Sequence, residues 1–131
     1  SILVEKRDHM GHQTDDSIAY NSCQTAHQVN ADLIVAFTES GSTAARVSKY
    51  RPRSNILALT PFKETERKLT LTWGVVPVTT EPAKDVDDFF RIVREEANKA
   101  PEIKGEGLVV LVAGLPIGVP GGTNMLRVMS V

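Results

Sequence analysis

The amino-acid sequence predicts an α/β protein built on a mainly parallel β-sheet. Short, continuously apolar runs alternate along the chain with amphipathic segments of helical length, which is typical of strands joined by helical crossovers. The runs lack the polar alternation of half-exposed strands, as expected when helices cover both faces of a sheet. In such sheets, ligands bind outside the carboxyl ends of the strands. The predicted strands are 33–37, 56–59, 75–79, 108–113 and, with a looser pattern, 125–131.

Composition and charge are those of one ordinary globular domain. The chain has 131 residues, of which 41% are hydrophobic and 24% charged, which is enough for a real core. The formal net charge of −1 argues against a general nucleic-acid or membrane-surface binder. No apolar run is long enough to span a bilayer. The single cysteine, Cys23, excludes an internal disulfide and favours a reducing compartment, the cytoplasm.

The N-terminal part of the chain is predicted to hold a lead-in and one helix. Residues 1–13 are mixed in charge and lack a clear period, so we expect a flexible linker remnant in a chain cut from a longer protein. Thr14 is a suitable helix N-cap, and Asn30 is a suitable stop. The folded domain is therefore predicted to occupy 14–131. Mainly small side chains recur between these ends at helical spacing: Ile18, Ala19, Ser22, Cys23, Ala26 and Val29.

Three further helices are predicted between the strands. The first covers 44–50 and ends before Pro52, which disfavours helical geometry in the preceding residue. The second begins with Thr60 as its cap and Pro61 in its first position, and Gly74 suits its C-terminal end. This helix carries on one side Phe62, Leu69 and Trp73. The third covers 85–100, with an apolar stripe formed by Val86, Phe89, Phe90, Val93 and Ala97.

The turn between the first strand and the next helix is the main candidate site. It contains four hydroxyl side chains and a glycine: Thr38, Glu39, Ser40, Gly41, Ser42 and Thr43. The first N–H groups of a helix lack intrahelical partners, and the helix dipole favours an anion there, so a phosphate site is one interpretation. A well-capped turn without a ligand is the other, and spacing alone does not separate them. The turn lacks the Gly-Lys-Ser/Thr of a P-loop and the flanking glycines of a nucleophile elbow.

The other candidates are weaker. The loop 114–122 follows a strand and is rich in glycine and proline, so it can close over a ligand or simply connect two strands. Cys23 and His27 lie one helical turn apart, but a metal site needs more ligands, and core packing is the better interpretation. Pairs of acids occur in the 85–100 helix, and a group of basic residues is formed by Lys49, Arg51 and Arg53. Both are more simply explained as solvated surface charges than as functional sites. No catalytic set is found.

Five stretches together resemble the C-terminal, regulatory domain of pyruvate kinase, in the family's order and over nearly the whole chain from residue 14. The residues at 73–75 and at 118–124 are similar to those found in bacterial members of the family. The matching stretches are Ser17-Ile18-Ala19; Thr38-Glu39-Ser40-Gly41 with 44–52; 56–61; Trp73-Gly74-Val75; and 113–118 leading to Thr123-Asn124-Met125.

The resemblance implies a three-layer α/β/α sandwich whose five-stranded, mostly parallel sheet has its last strand antiparallel. It implies that phosphoryl transfer from phosphoenolpyruvate to ADP occurs in a separate barrel, with magnesium and potassium sites, that is absent here. We therefore expect no cofactor in this domain and no activity of the chain alone. The phosphate of a small effector is expected in the 38–43 turn. The loop expected to fold over it contains Gly114, Leu115, Pro116, Ile117, Gly118, Val119, Pro120, Gly121 and Gly122.

Two departures from the family pattern narrow the expected ligand. Ser42 stands where several members have a basic residue, and Leu115-Pro116 stands where members activated by fructose bisphosphate often have Trp-Arg. Each change removes cationic or aromatic contacts that a second phosphate would need. A sugar monophosphate or a nucleoside monophosphate is therefore favoured over a bisphosphate.

The resemblance also implies a homotetramer in which these domains meet one another. The small-residue face of the first helix and the edge of the last strand are the expected contacts, and neither nucleic acid nor membrane is an expected partner. Two alternatives remain open. One is a free-standing phosphate-binding domain or phosphatase-like enzyme with Ser40 as its nucleophile. The other is an oligomerisation module without a ligand.

Overall fold

The structure, a computed structural model, describes residues 2–114 and 122–131, with side chains from residue 13 onward. Helices and strands alternate as far as the fourth strand, so the predicted α/β class is confirmed. The elements are α1 (Ile2–Gln28), β1 (Leu33–Phe37), α2 (Ser42–Lys49), β2 (Ile56–Thr60), α3 (Lys63–Leu69), β3 (Val75–Thr79), α4 (Val86–Asn98), β4 (Leu108–Ala113) and β5 (Met125–Ser130).

The five strands form one sheet in the order β3-β2-β1-β4-β5. The first four strands are parallel, and β5 runs antiparallel to β4 with a register from Leu108 opposite Ser130 to Ala113 opposite Met125. This arrangement confirms the expected sheet. Because β1 is central, the turn that follows it lies between the carboxyl ends of its two parallel neighbours.

Helices cover both faces of the sheet, which confirms the three layers. Successive side chains of a strand point to opposite faces. On one face, Ile34 and Ala36 of β1 belong to a buried cluster with residues of α1, α2 and α3. On the other face, Leu33 and Val35 belong to a second cluster that includes Phe89 and other residues of α4. The strands are apolar throughout because both their faces are buried.

The start of the first helix was predicted wrongly. Over the described part of the lead-in the chain is already helical, since α1 begins at Ile2, and Thr14 lies inside the helix rather than at its cap. The physical reason is that Thr and Asp favour caps but are tolerated inside helices, while the preceding Leu, Glu, Lys, Arg and Met are good helix formers. The predicted stop is confirmed: Asn30 has a φ of 54° just after the helix. The boundary of the domain at residue 14 stays a prediction.

The bounds of α3 also differ from the prediction. Thr60 is not a helix cap but the last residue of β2, where it pairs with Thr79 of β3. The helix begins after Phe62 and ends at Leu69, so Gly74 lies in a separate left-handed turn, with a φ of 69°. Leu69 is buried, whereas Phe62 and Trp73 lie outside α3 and are about half exposed. Strand pairing with β3 overrides the local cap signal of Thr60-Pro61.

The apolar stripe of α4 is mostly as predicted. Phe89, Val93 and Ala97 are buried, but Val86 is 52% exposed, and the buried Ile92 was not predicted. Val86 is the first residue of the helix, so it lies beyond the part that rests on the sheet. Asp85 caps this helix by accepting a hydrogen bond from the Asp88 N–H at 2.8 Å.

Candidate functional site

The 38–43 turn connects the carboxyl end of β1 to α2. The Thr38 N–H still donates to the Leu59 carbonyl at 2.9 Å, so the strand pairing continues up to the turn. Gly41 is the N-cap of α2 and has a φ of 96°. A Cβ at this position would lie 3.4 Å from the Leu69 side chain. Glycine suits this position because its left-handed backbone strains other residues and because α3 packs closely against it.

Two of the four hydroxyls of the turn are buried and stabilise its shape. The Thr38 hydroxyl accepts a hydrogen bond from the Gly41 N–H at 2.8 Å. The Thr43 hydroxyl is bonded to the Thr123 hydroxyl at 2.7 Å, and both threonines are buried. These two side chains form the turn rather than line its open surface.

The other two hydroxyls are exposed at the N-terminus of α2. The Ser40 hydroxyl donates to the Ser42 hydroxyl at 3.2 Å and accepts from the Ser42 N–H at 3.3 Å. Gly41 provides no side-chain cap, and the first turn of α2 contains no acid. The positive end of the helix dipole is therefore not neutralised by an acid in its own first turn, and two hydroxyl donors lie beside it. This arrangement suits a small anion.

Helix α3 contributes two residues that the sequence reasoning missed. The Thr65 hydroxyl donates to the Glu39 carbonyl at 2.6 Å, and the Lys68 Nζ donates to the Ser40 carbonyl at 3.1 Å. Their spacing of three residues places both on one side of a helix, which was a visible signal. The sequence did not show that this side faces the turn, because that depends on how α3 packs.

The two ends of the 114–122 loop lie side by side. A Cβ on Gly114 would overlap the Gly122 carbonyl, and a Cβ on Gly122 would overlap the Asp15 carboxylate of α1. Just beyond the loop, Thr123 contacts Thr43, so the loop leaves and rejoins the sheet beside the 38–43 turn. The end of the loop therefore lies next to the turn at one edge of the sheet. Residues 115–121 lie outside the described residues, so closure over a ligand stays a prediction.

The weaker candidates have structural explanations. The Cys23 thiol donates to the Val47 carbonyl at 3.7 Å, and burial raises its pKa to about 11, so it is an uncharged thiol near neutral pH. No group of three or more His, Cys, Asp or Glu suited to a metal is found among the described residues. His27 is exposed.

The basic residues near the end of α2 do not face one common point. Lys49 forms an ion pair with Asp16 at 2.7 Å, whereas the Arg51 guanidinium lies 4.7 Å from the centre of the Trp73 ring. The acids of α4 are likewise paired along the helix surface, with Asp88 and Glu95 both bonded to Arg91. Within the described part of the chain, no helix is long and apolar enough to cross a membrane.

The fold and the turn together define a class of protein: a three-layer α/β domain with an anion-suited turn at the carboxyl edge of its sheet. Residues 16–129 match the family model described as the alpha/beta domain of pyruvate kinase. The chain belongs to the pyruvate kinase family and corresponds to its C-terminal domain.

Curated relatives agree with this assignment. The pyruvate kinase of Methylorubrum extorquens is 40% identical over 132 residues, covering 100% of this chain and 27% of that protein. That of Clostridium acetobutylicum is 36% identical, covering 99% of this chain and 28% of its own length. The pyruvate kinase of Staphylococcus saprophyticus is 40% identical over 112 residues, which cover 86% of this chain and 19% of that protein. The chain thus spans about a quarter or less of the length of these relatives.

Proposed function

We propose that the chain is the regulatory, effector-binding and oligomerisation domain of a pyruvate kinase. In the whole enzyme, phosphoryl transfer from phosphoenolpyruvate to ADP takes place outside this domain. The effector is a phosphorylated small molecule whose phosphate binds at the 38–43 turn. Membership of the family supports the first part of this proposal, and the geometry of the turn supports the second.

The observation that supports the phosphate site is that two hydroxyls of the turn are buried and two are exposed. Thr38 and Thr43 are buried and hold the turn, which leaves Ser40 and Ser42 exposed at the N-terminus of α2. A phosphate monoester offers three acceptor oxygens and a charge of about −1.5 to −2. Hydroxyl donors, helix N–H groups and the helix dipole together match those oxygens and that charge.

One phosphate suits this site better than two. Ser42 is uncharged, and the loop sequence Leu115-Pro116 supplies no cation. A second phosphate would have to be desolvated without charge-assisted partners from these positions, which is unfavourable. We therefore propose a sugar monophosphate or a nucleoside monophosphate as the effector.

Calorimetric titration of the purified chain tests this proposal. Ribose 5-phosphate, glucose 6-phosphate and AMP are the probes, and fructose 6-phosphate is compared with fructose 1,6-bisphosphate as a matched pair. At least one monophosphate should bind, and the bisphosphate should bind no more tightly than fructose 6-phosphate. Ser40→Ala should weaken binding by about tenfold, the effect of losing one hydrogen bond to a charged group.

A matched control is Ser54→Ala. The Ser54 hydroxyl also makes one hydrogen bond, to the Ala31 carbonyl at 3.0 Å, but far from the turn. This variant should bind as the wild type does. Absence of heat with every monophosphate, or equal binding by Ser40→Ala and the wild type, contradicts the site.

Oligomerisation is proposed to use the β5 edge of the sheet. Both β3 and β5 are edge strands. β3 contains Pro77, which lacks an N–H and blunts its edge, whereas β5 contains no proline. The β5 edge is therefore better suited to pairing with a second copy of the chain.

A further inference from the structure

The charge on the 38–43 turn is unfavourable for the ligand proposed above. Its one charged side chain, Glu39, is negative, and Ser42 adds no compensating charge. A phosphate dianion bound there would be repelled by Glu39 unless a cation from another element lies close by. The dipole of α2 offsets part of this repulsion, but its effect is confined to the first turn of the helix.

Helix α3 brings a cation to this turn. Three residues on one side of α3 face the turn: Thr65, Lys68 and Leu69, at helical spacing. Leu69 packs beneath Gly41, as the short distance to a Cβ built there indicates. Thr65 and Lys68 hold the carbonyls of Glu39 and Ser40, at 2.6 and 3.1 Å. The Lys68 ammonium is thus one hydrogen bond away from the backbone of the serine that the proposed site exposes.

We propose that Lys68 is the cation of the phosphate site, a positioning and specificity-determining residue supplied by α3. This inference rests on the proposed function. The ammonium group acts in two ways: it holds the Ser40 carbonyl, which orients the peptide that carries the exposed hydroxyl, and it offsets the charge of Glu39. Lys68 is exposed, so its attraction for an anion is screened by salt.

The proposal explains a preference for one dianionic group. A single lysine on one side of the turn favours a phosphate over a neutral sugar, because attraction grows with the charge of the ligand. It does not help a second phosphate held several ångströms away on the far side of the sugar. Lys68 thus accounts for the preference for a charged ligand, while the lack of a cation at Ser42 and at Leu115-Pro116 accounts for the preference for one phosphate.

Two variants of one residue and one matched control test the proposal in the full chain. Lys68→Met removes the charge and keeps most of the side-chain length, and Lys68→Arg keeps the charge. Arg67→Met removes the same charge from the neighbouring position, which points about 100° away around the helix. The probes are ribose 5-phosphate and inorganic phosphate, titrated at low and high salt, and melting temperatures check that each variant is folded.

We expect Lys68→Met to bind both probes roughly tenfold more weakly at low salt, the size of effect of one charge-assisted contact. This deficit should shrink at high salt. Lys68→Arg should retain most of the affinity, and Arg67→Met should bind as the wild type does. A purely structural role for Lys68 would lower the melting temperature and would not produce a salt-dependent deficit.

The outcomes separate this proposal from the one on which it rests. If the wild type binds the probes and Lys68→Met binds equally well, the role of Lys68 is overturned and the phosphate site stands. Equal weakening in Lys68→Met and Arg67→Met shows an effect of net charge alone and also overturns it. If the wild type binds neither of these probes nor any of the other monophosphates named above, the phosphate site itself fails, and the role of Lys68 fails with it.

Discussion

At the scale of single residues, a pair of buried hydroxyls connects the turn to the end of the loop. Thr43 and Thr123 are 80 residues apart in sequence, and their hydroxyl oxygens lie 2.7 Å apart. They are only 7% and 3% exposed, so water does not readily replace either partner. Buried hydroxyls are costly when unpaired and inexpensive when paired. The pair therefore fixes the start of β5 against the start of α2.

Thr123→Val should destabilise the chain, because it leaves the Thr43 hydroxyl buried without this partner. We expect the free energy of unfolding to fall by about 1–3 kcal/mol, measured by urea denaturation. The double variant Thr43→Val/Thr123→Val removes both hydroxyls and should be closer in stability to the wild type than the additive sum predicts. Strict additivity of the two single changes would show that the hydroxyls are not coupled.

At the scale of elements, the contact between α1 and α2 is electrostatic at its exposed rim. The Asp16 carboxylate accepts hydrogen bonds from the Lys49 ammonium and the Tyr50 hydroxyl, and Tyr20 meets Tyr50 edge-on. The bond from Lys49 and then that from Tyr50 lower the pKa of Asp16. The same bond to Asp16 raises the pKa of Lys49. Each group is thus stabilised in its charged form by folding.

Asp16→Asn should lower the melting temperature slightly, because the ion pair between Asp16 and Lys49 is exposed and exposed ion pairs are weak. The sign of its pH dependence follows from the two shifts. The pKa of Asp16 lies below its ordinary 3.8 in the folded state, so its contribution is present above that pH and is lost as the pH falls through the lowered value. The pKa of Lys49 is raised above 10.5, so its contribution is lost as the pH rises through the raised value.

Melting curves of the wild type and Asp16→Asn between acidic and alkaline pH check this expectation. The difference in melting temperature between the two proteins should be largest between the lowered pKa of Asp16 and the raised pKa of Lys49. It should vanish at acidic pH. Glu81→Gln, an exposed change of the same kind in the loop before α4, is the control and should show no such window. A difference that stays constant at all pH values contradicts the role of the ion pair.

The same scale shows where local sequence signals failed. Thr60-Pro61 resembles a helix start, but Thr60 completes β2 because β3 lies beside it and pairs with it. Thr14 resembles a cap, but α1 passes through it without interruption. A capping residue indicates where a helix can begin. It does not indicate whether the neighbouring residues already form a helix or a strand. The longer apolar patterns of β1 and β4, and most of that of α4, were predicted correctly because burial determines them.

At the scale of the whole molecule, the two edges of the sheet differ in their capacity to pair. Val128 of β5 is 41% exposed and Val76 of β3 is 57% exposed, so both edges carry an accessible valine. Only the edge with Pro77 is blunted by the loss of an N–H. We therefore expect wild-type chains to associate through β5 as the concentration rises.

Val128→Lys should shift the chain towards the monomer, because a charged residue on an edge strand disfavours edge-to-edge pairing. Sedimentation velocity over a range of concentrations measures this shift. Val76→Lys makes the same change on the opposite edge and should leave association unchanged. Equal mass distributions for the wild type and both variants would show that β5 is not the interface.

The sequence by itself determined the α/β class and the strands, and it limited the 38–43 turn to two interpretations, an anion site or a capped turn without a ligand. These properties are local: apolar runs record burial on both faces, and the composition of a turn limits its chemistry. Only the tertiary structure decided which distant residues complete the turn, since Lys68 reaches Ser40 and Thr123 reaches Thr43 through packing. The physical reason is that the position of α3 and the return of β5 depend on contacts between elements, which no local pattern encodes.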